Sequence, residues 1–308
     1  MPRLVIDTDP GVDDAQAIML AAAYPDTQIE AITTVAGNVG LDKTTANACT
    51  VLDALGLATP VYAGCPSALL GAMHDASYVH GDDGLGDAGF RPSARPVEHE
   101  HAVMALIRLA NEAPGELTLV ALGPLTNVAM ATRLDPDLPT KYRALVCMGG
   151  AIRGMGNTPN PSAEFNVYSD PEAAQIVYQS WPDPLLIPWE TVVDHALDEN
   201  GLDELLAVQS PRADFFRAIT GKTLAFIQQR LGGRQLFAAD SLAMAAALEP
   251  DSIQRIEHRH VQVALGEGHT RGQTTVDWFR TTDGKPNVRM VLSFDPERWR
   301  QLLLASVT

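Results

Sequence analysis

The chain has 308 residues, 46% of them hydrophobic and 19% charged, with a formal net charge of −16. That composition is globular rather than disordered, and so acidic a balance argues against nucleic acid or an anionic membrane as partner. The three cysteines, Cys49, Cys65 and Cys147, are too scattered for a disulfide framework or a zinc site, and no apolar run approaches membrane-spanning length.

A strand pattern begins within three residues of the start and no signal-peptide pattern precedes it, so a reducing cytoplasm is the expectation. Leu4-Val5-Ile6 reads as a buried strand that runs into four aspartates, Asp7, Asp9, Asp13 and Asp14, around the turn Pro10-Gly11. An apolar helix follows from Ala15, so Asp13 or Asp14 is a candidate N-cap. One cap explains one aspartate. Four carboxylates in eight residues repel one another unless a cation neutralises them, and hard oxygen ligands suit Ca²⁺ or Mg²⁺. The plain alternative is a solvated acidic turn.

Ile29–Val35 reads as the second strand, ending in a loop with Asn38 at its tip, and Lys43–Leu55 as a helix with Asp42 as candidate cap. Val61–Ala63 is a short third strand. Strand, turn and helix in alternation imply right-handed crossovers and a parallel sheet, whose ligand sites lie beyond the carboxyl ends of the strands. Pro66–Arg95 reads as a long irregular stretch. In it His80 is a candidate general acid or an exposed loop histidine, and Asp82, Asp83 and Asp87 are a second metal site or solvated turn acids.

His99–Asn111 carries a helical apolar stripe, Leu117–Leu122 is a buried strand, Gly123-Pro124-Leu125-Thr126-Asn127 opens a helix to Ala131, and Leu145–Met148 is another buried strand before Gly149-Gly150. The loop Ala151–Asn166 is rich in Asn, with Glu164 near its end, a chemistry suited to sugar hydroxyls or simply to turns. Asp170 reads as a structural helix cap before Pro171. Leu185–Ile187 is a strand, with Trp189 and Glu190 beyond it facing a ligand or the core. Asn200–Glu249 reads as mostly helical, with Asp240 at the start of a helix where a cap would also explain it. Val261–Leu292 reads as strands and Pro296–Leu304 as a closing helix. The whole, residues 1–308, reads as one α/β domain: a mostly parallel, Rossmann-like sheet flanked by helices, with a possible helical subdomain at about 200–250.

Asp7-Thr8-Asp9-Pro10-Gly11-Val12-Asp13-Asp14-Ala15 resembles the N-terminal signature of the inosine-uridine preferring nucleoside hydrolase family. Support comes from Thr33–Asn38, Gly123–Asn127, Met148-Gly149-Gly150, Ala163–Asn166 and Asp170–Ala174, in the family's order and at similar spacing. The resemblance implies a Ca²⁺-dependent N-ribohydrolase that releases ribose and a free base from a ribonucleoside, as a homodimer or homotetramer. It implies Asp9, Asp14 and Asp240 as calcium carboxylates, Leu122 as a backbone carbonyl ligand, and Asp9 as the base that activates water. It implies Asp13, Asn38, Glu164 and Asn166 as ribose contacts beside Met148, with Asn157 and Asn160 competing for the 5′ end. The physics agrees: such a cation lowers the pKa of a bound water, and rigid bonds to the ribose hydroxyls favour an oxocarbenium-like transition state.

One position departs from the pattern. The inosine-uridine type carries a histidine just before the late aspartate and the purine-specific type a tryptophan; this chain has Ala239. His80 matches the family's loop histidine and is the remaining candidate acid, with Tyr78, Trp189 and Phe237 the candidates for stacking. Ala239 motivates the alternative of a non-catalytic nucleoside- or ribose-binding protein. A haloacid-dehalogenase-type phosphatase, suggested by Asp7-Thr8-Asp9 after a strand, normally continues with Gly-Thr rather than Pro10-Gly11.

Overall fold

Aliphatic runs become strands at β1 (Arg3–Thr8), β2 (Gln28–Thr34), β3 (Val61–Ala63), β4 (Thr118–Ala121), β5 (Ala144–Met148) and β6 (Leu185–Ile187). The later part of the chain adds β7 (Ile253–Arg259), β8 (Val261–Val263), β9 (Thr274–Val276) and β10 (Val288–Phe294). This computed structural model describes residues 1–71 and 73–308. Eight strands form one sheet in the order β3-β2-β1-β4-β5-β6-β10-β7, while β8 and β9 pair separately. Every neighbouring pair in the large sheet is parallel except β10 with β7.

Side chains alternate across each strand and so feed two cores. Leu4, Ile6, Ile32, Val120 and Val146 point to one face, packed under the helices Val12–Ala23, Leu41–Leu55, Ala239–Leu248 and Pro296–Ser306. Val5, Ala31, Leu119 and Leu145 point to the other, under Ala102–Glu112, Thr126–Leu134 and Pro171–Ser180. The chain winds from β1 outward to β3, then returns to the other side of β1 as β4. A crevice opens where the winding reverses, at the carboxyl ends of β1 and β4.

Several local expectations are corrected. The first helix is capped by Gly11, and Asp14, three residues in, accepts the Gly11 N–H at 2.9 Å. Gly40, not Asp42, caps the second. Asp240 makes no capping bond; Ala238 is the cap of its helix. Asp170 does cap, accepting the Ala173 N–H at 3.0 Å. Pro66–Arg95 contains one short helix, Ser77–His80; Ala72, within it, lies outside the described residues. Asp83 and Asp87 there exchange bonds with each other's backbone and Asp87 pairs with Lys222, the pattern of a surface turn. β7 was not expected: an edge strand reading Ile-Gln-Arg-Ile-Glu-His-Arg shows no apolar alternation, because charge on an exposed edge guards against stray pairing.

Candidate active site

The aspartates are placed by the abrupt turn from β1 into its helix. Asp9 and Asp14 are buried, and their carboxylates meet over the loop after β2. Asp9 Oδ2 accepts the Asn38 N–H at 2.7 Å, and Asn38 Nδ2 donates to Asp14 Oδ2 at 3.0 Å and to the Asp9 carbonyl at 3.2 Å. Asp14 also accepts the Thr8 hydroxyl. Backbone passes so close to Asp9 that a Cβ at Gly37 or Gly123 would collide with its carboxylate. From the far side of the cleft Asp240 arrives on its helix. Carboxylate oxygens of Asp13, Asp14 and Asp240 lie within 4.8 Å of one another.

So many acids out of water cannot all ionise. Burial, then the charges of Asp13, Asp14 and Asp9, drives the Asp240 carboxyl far above its ordinary range. Burial and the Asp14 charge likewise raise Asp9, and burial takes Asp13 up to about 6. Among the described residues, Asp9 Oδ1 and Asp13 Oδ1 are buried with no hydrogen-bond partner. Clustered, partnerless carboxylate oxygens in a dry site fit a hard divalent cation. The Leu122 carbonyl, at the end of β4, accepts from Asn166 Nδ2 at 2.6 Å and keeps a second lone pair.

Above this cluster is a cavity of about 930 Å³. Asp13, Asn38, Leu122, Met148 and Asp240 line its inner part, with Glu164 and Asn166 beside them. Glu164 caps the helix Phe165–Ser169, accepting N–H groups from Gly150 at 2.8 Å, Asn166 at 3.0 Å and Val167 at 3.3 Å. Asn157 lines the cavity, and its Oδ1 accepts the Phe165 N–H at 2.9 Å. Asn160 does not belong to the wall: its Nδ2 donates to the Arg271 carbonyl at 2.6 Å and its Oδ1 accepts from Ser162.

His80 lines the cavity but is not an imidazolium. Its Nδ1 accepts the Val12 N–H at 3.1 Å, and burial holds its pKa down at about 4. Near neutral pH the ring is neutral with its proton on Nε2, a buried hydrogen-bond donor rather than an exposed loop histidine.

The outer wall is aromatic. Tyr78 meets Phe226 edge-on at 5.5 Å, Trp189 meets Phe237 at the same distance, and Arg230 sits over the Phe226 ring at 5.8 Å. Arg230 is the only lysine or arginine among the described residues lining the cavity. Thr223, Phe226, Ile227 and Arg230 form one face of the helix Pro211–Leu231, and sequence reasoning missed them: most of that helix is polar, and nothing marked this face. It also gave no role to Asn127, which donates to Asp7 Oδ1 at 2.8 Å and the Thr34 carbonyl at 3.0 Å and accepts the Cys65 N–H at 2.9 Å. The motif Gly123–Asn127 was its signal.

The inosine-uridine preferring nucleoside hydrolase family model matches residues 4–301, and the chain belongs to that family. It is a hydrolase acting on N-glycosyl bonds. It is 34% identical over 295 residues to the pyrimidine-specific ribonucleoside hydrolase RihB of Escherichia coli O157:H7, covering 96% of this chain and 93% of that one. A plant nucleoside hydrolase, PpNRh1, superposes with a TM-score of 0.93 at 33% identity, covering 100% of this chain and 99% of that one. An inosine-guanosine nucleoside hydrolase superposes with a TM-score of 0.92 at 34% identity, covering 99% and 98%. No helix among the described residues is long and apolar enough to cross a membrane.

Proposed function

We propose that this enzyme hydrolyses ribonucleosides to ribose and free base with the help of a divalent ion, Ca²⁺ by its all-oxygen donor set. The observation that carries the reading is the convergence of the Asp13, Asp14 and Asp240 carboxylates within 4.8 Å at the inner end of a cavity walled by Asn38, Glu164 and Asn166. Asp9, Asp14, Asp240 and the Leu122 carbonyl would hold the ion. When bound it acidifies a water and draws the ribose hydroxyls into register.

Asp9 takes the proton of the attacking water on its partnerless Oδ1. Oxygen bonds to C1′ as the C1′–N bond breaks, and the electron pair leaves with the base. Asp13, Asn38, Glu164 and Asn166 hold the ribose, Met148 packs beside it, and Asn157 meets its 5′ end. Asn38, Asn157, Glu164 and Asn166 are each also bonded to backbone, so these contacts are rigid and favour the flattened, positively charged sugar of the transition state. His80 donates from Nε2. The resemblance implies a homodimer or homotetramer, which sedimentation at assay concentration measures.

Relatives named for pyrimidine, for inosine-guanosine and for purine nucleosides match this chain at 34%, 34% and 28% identity. Base preference is therefore not carried by general similarity and belongs to the outer wall. The direct test is p-nitrophenyl riboside, whose leaving group departs without an enzyme acid. Turnover that disappears with excess chelator and returns with Ca²⁺ is expected; no turnover by folded, ion-supplied protein would sink the reading.

A further inference from the structure

The segment between β5 and the helix Phe165–Ser169 has no regular secondary structure, yet Gly156, Asn157, Thr158 and Pro159 from it line the cavity. Such a segment keeps one geometry only if something repays its conformational entropy. Two buried carboxylates grip it. Glu164 holds the far end, as described. Glu190 holds the near end: only 2% exposed, it accepts the N–H groups of Arg153 at 2.6 Å, Ile152 at 3.0 Å and Met155 at 3.3 Å.

Glu190 is itself tied to the sheet. It follows β6 directly, in the helix Trp189–Asp194. Trp189 N–H donates to the Gly150 carbonyl at 2.9 Å, and the Thr191 hydroxyl donates to the Val291 carbonyl, in β10, at 2.7 Å. Three backbone donors on one carboxylate satisfy a buried anion without a cation. The charge is used to fix backbone, and the nearest functional side chain beyond the fixed stretch is Asn157.

We propose that Glu190 is a positioning residue for substrate: through the Ile152, Arg153 and Met155 N–H groups it sets where Asn157 meets the 5′-hydroxymethyl end of the ribose. This rests on the ribohydrolase reading above. It also places Glu190 away from the reacting bond, so it acts on how the 5′ end is held. In Glu190→Gln the amide nitrogen faces at least one of the three backbone donors, and that bond is lost.

The test is a cycle of wild type, Glu190→Gln, Asn157→Ala and the double variant. KM and kcat are measured on p-nitrophenyl riboside and on its 5′-deoxy counterpart, with amide exchange at residues 152, 153 and 155 followed alongside. Glu190→Gln should speed exchange of at least one of those three amides and raise KM on the riboside by about 10- to 100-fold. On the 5′-deoxy substrate, and in the Asn157→Ala background, its effect should shrink to about twofold or less. Equal losses on both substrates, or multiplying effects of the two substitutions, would overturn the proposal. Should Glu190→Gln fail to fold, Glu190→Asp keeps the charge with a shorter reach and should give the same substrate pattern at smaller size. If the wild type turns over neither substrate with any divalent ion, the ribohydrolase reading falls and this assignment falls with it. Failure of the assignment alone shows instead as normal turnover with no 5′-dependent change in the variant.

Discussion

The inner and outer halves of the cavity are built on different principles. At the inner end the polar side chains that frame the aspartates are buried and bonded: Asn38 to Asp9 and Asp14, Asn166 to the Leu122 and Met148 carbonyls, Glu164 to three N–H groups. The outer wall relies on ring contacts, and Tyr78 and Leu231 are 47% and 59% exposed. A site that must hold a cation and a strained sugar needs preorganised groups. A wall that recognises a flat base needs apolar area and a few donors, which many residue types supply. The inner half can thus serve a whole family while the outer half varies.

Substitutions that break the inner half should have the largest effects. Asp9→Ala is expected to lower kcat/KM on p-nitrophenyl riboside by about 10²- to 10⁴-fold, the range for losing a general base, with an unchanged circular dichroism spectrum. Retained activity would remove Asp9 from the chemistry. Asn127→Ala strikes beneath that site. It leaves Asp7 Oδ1 with the Thr33 hydroxyl alone, removes the side-chain partner of the Thr34 carbonyl and the Cys65 N–H, and should cost about 2–4 kcal/mol in denaturant unfolding. A loss below about 0.5 kcal/mol, the size of an ordinary surface change, would mean that the staple does not support the strand ends.

Protons and cations compete for the same oxygens. In the ion-free protein the folded pKa values of Asp9, Asp13, Asp14 and Asp240 lie above their unfolded values, Asp13 at about 6. The folded state then binds more protons than the unfolded state between the two sets of values, so ion-free stability falls as pH rises through that window. A bound ion removes the penalty. The rise in melting temperature on adding Ca²⁺ should therefore be larger at pH 7.5 than at pH 5, and binding should release protons in a calorimeter whose buffer is varied. A rise independent of pH would show that these carboxylates are not the ligands.

The difference between the two halves also explains what could be read in the sequence. Asp9, Asp14 and Asn38 sit in short contiguous motifs, because a strand end and the loop beside it bring them together locally. Asp240 is more than 200 residues away and stood out only through the resemblance. A cap was its obvious explanation until the helix proved to be capped by Ala238. Glu190 appeared as one more acid after a strand; its three backbone donors come from a loop nearly 40 residues earlier, which no spacing encodes. Likewise, Phe226 and Arg230 lie on a mixed helix whose cavity-facing side is fixed by packing.

The smallest expected effect is the one that isolates the outer wall. Ala239 removes both an imidazole and an indole from beside Asp240, and neutral His80 is committed through Nδ1 to Val12. Arg230 is then the remaining charged donor on that side, and a guanidinium can only donate. It suits ring carbonyl oxygens, as on uracil or hypoxanthine, and it favours the negative charge that a departing base accumulates. Being exposed, it acts through water-screened interactions worth little each. Arg230→Gln should lower kcat/KM for uridine and inosine by about 3- to 10-fold, roughly 1 kcal/mol in the transition state. On p-nitrophenyl riboside, which carries no such carbonyl and needs no help to leave, it should change little. If both kinds of substrate lose equally, Arg230 shapes the cavity as a whole; if neither changes, the base is held by the aromatic side chains alone.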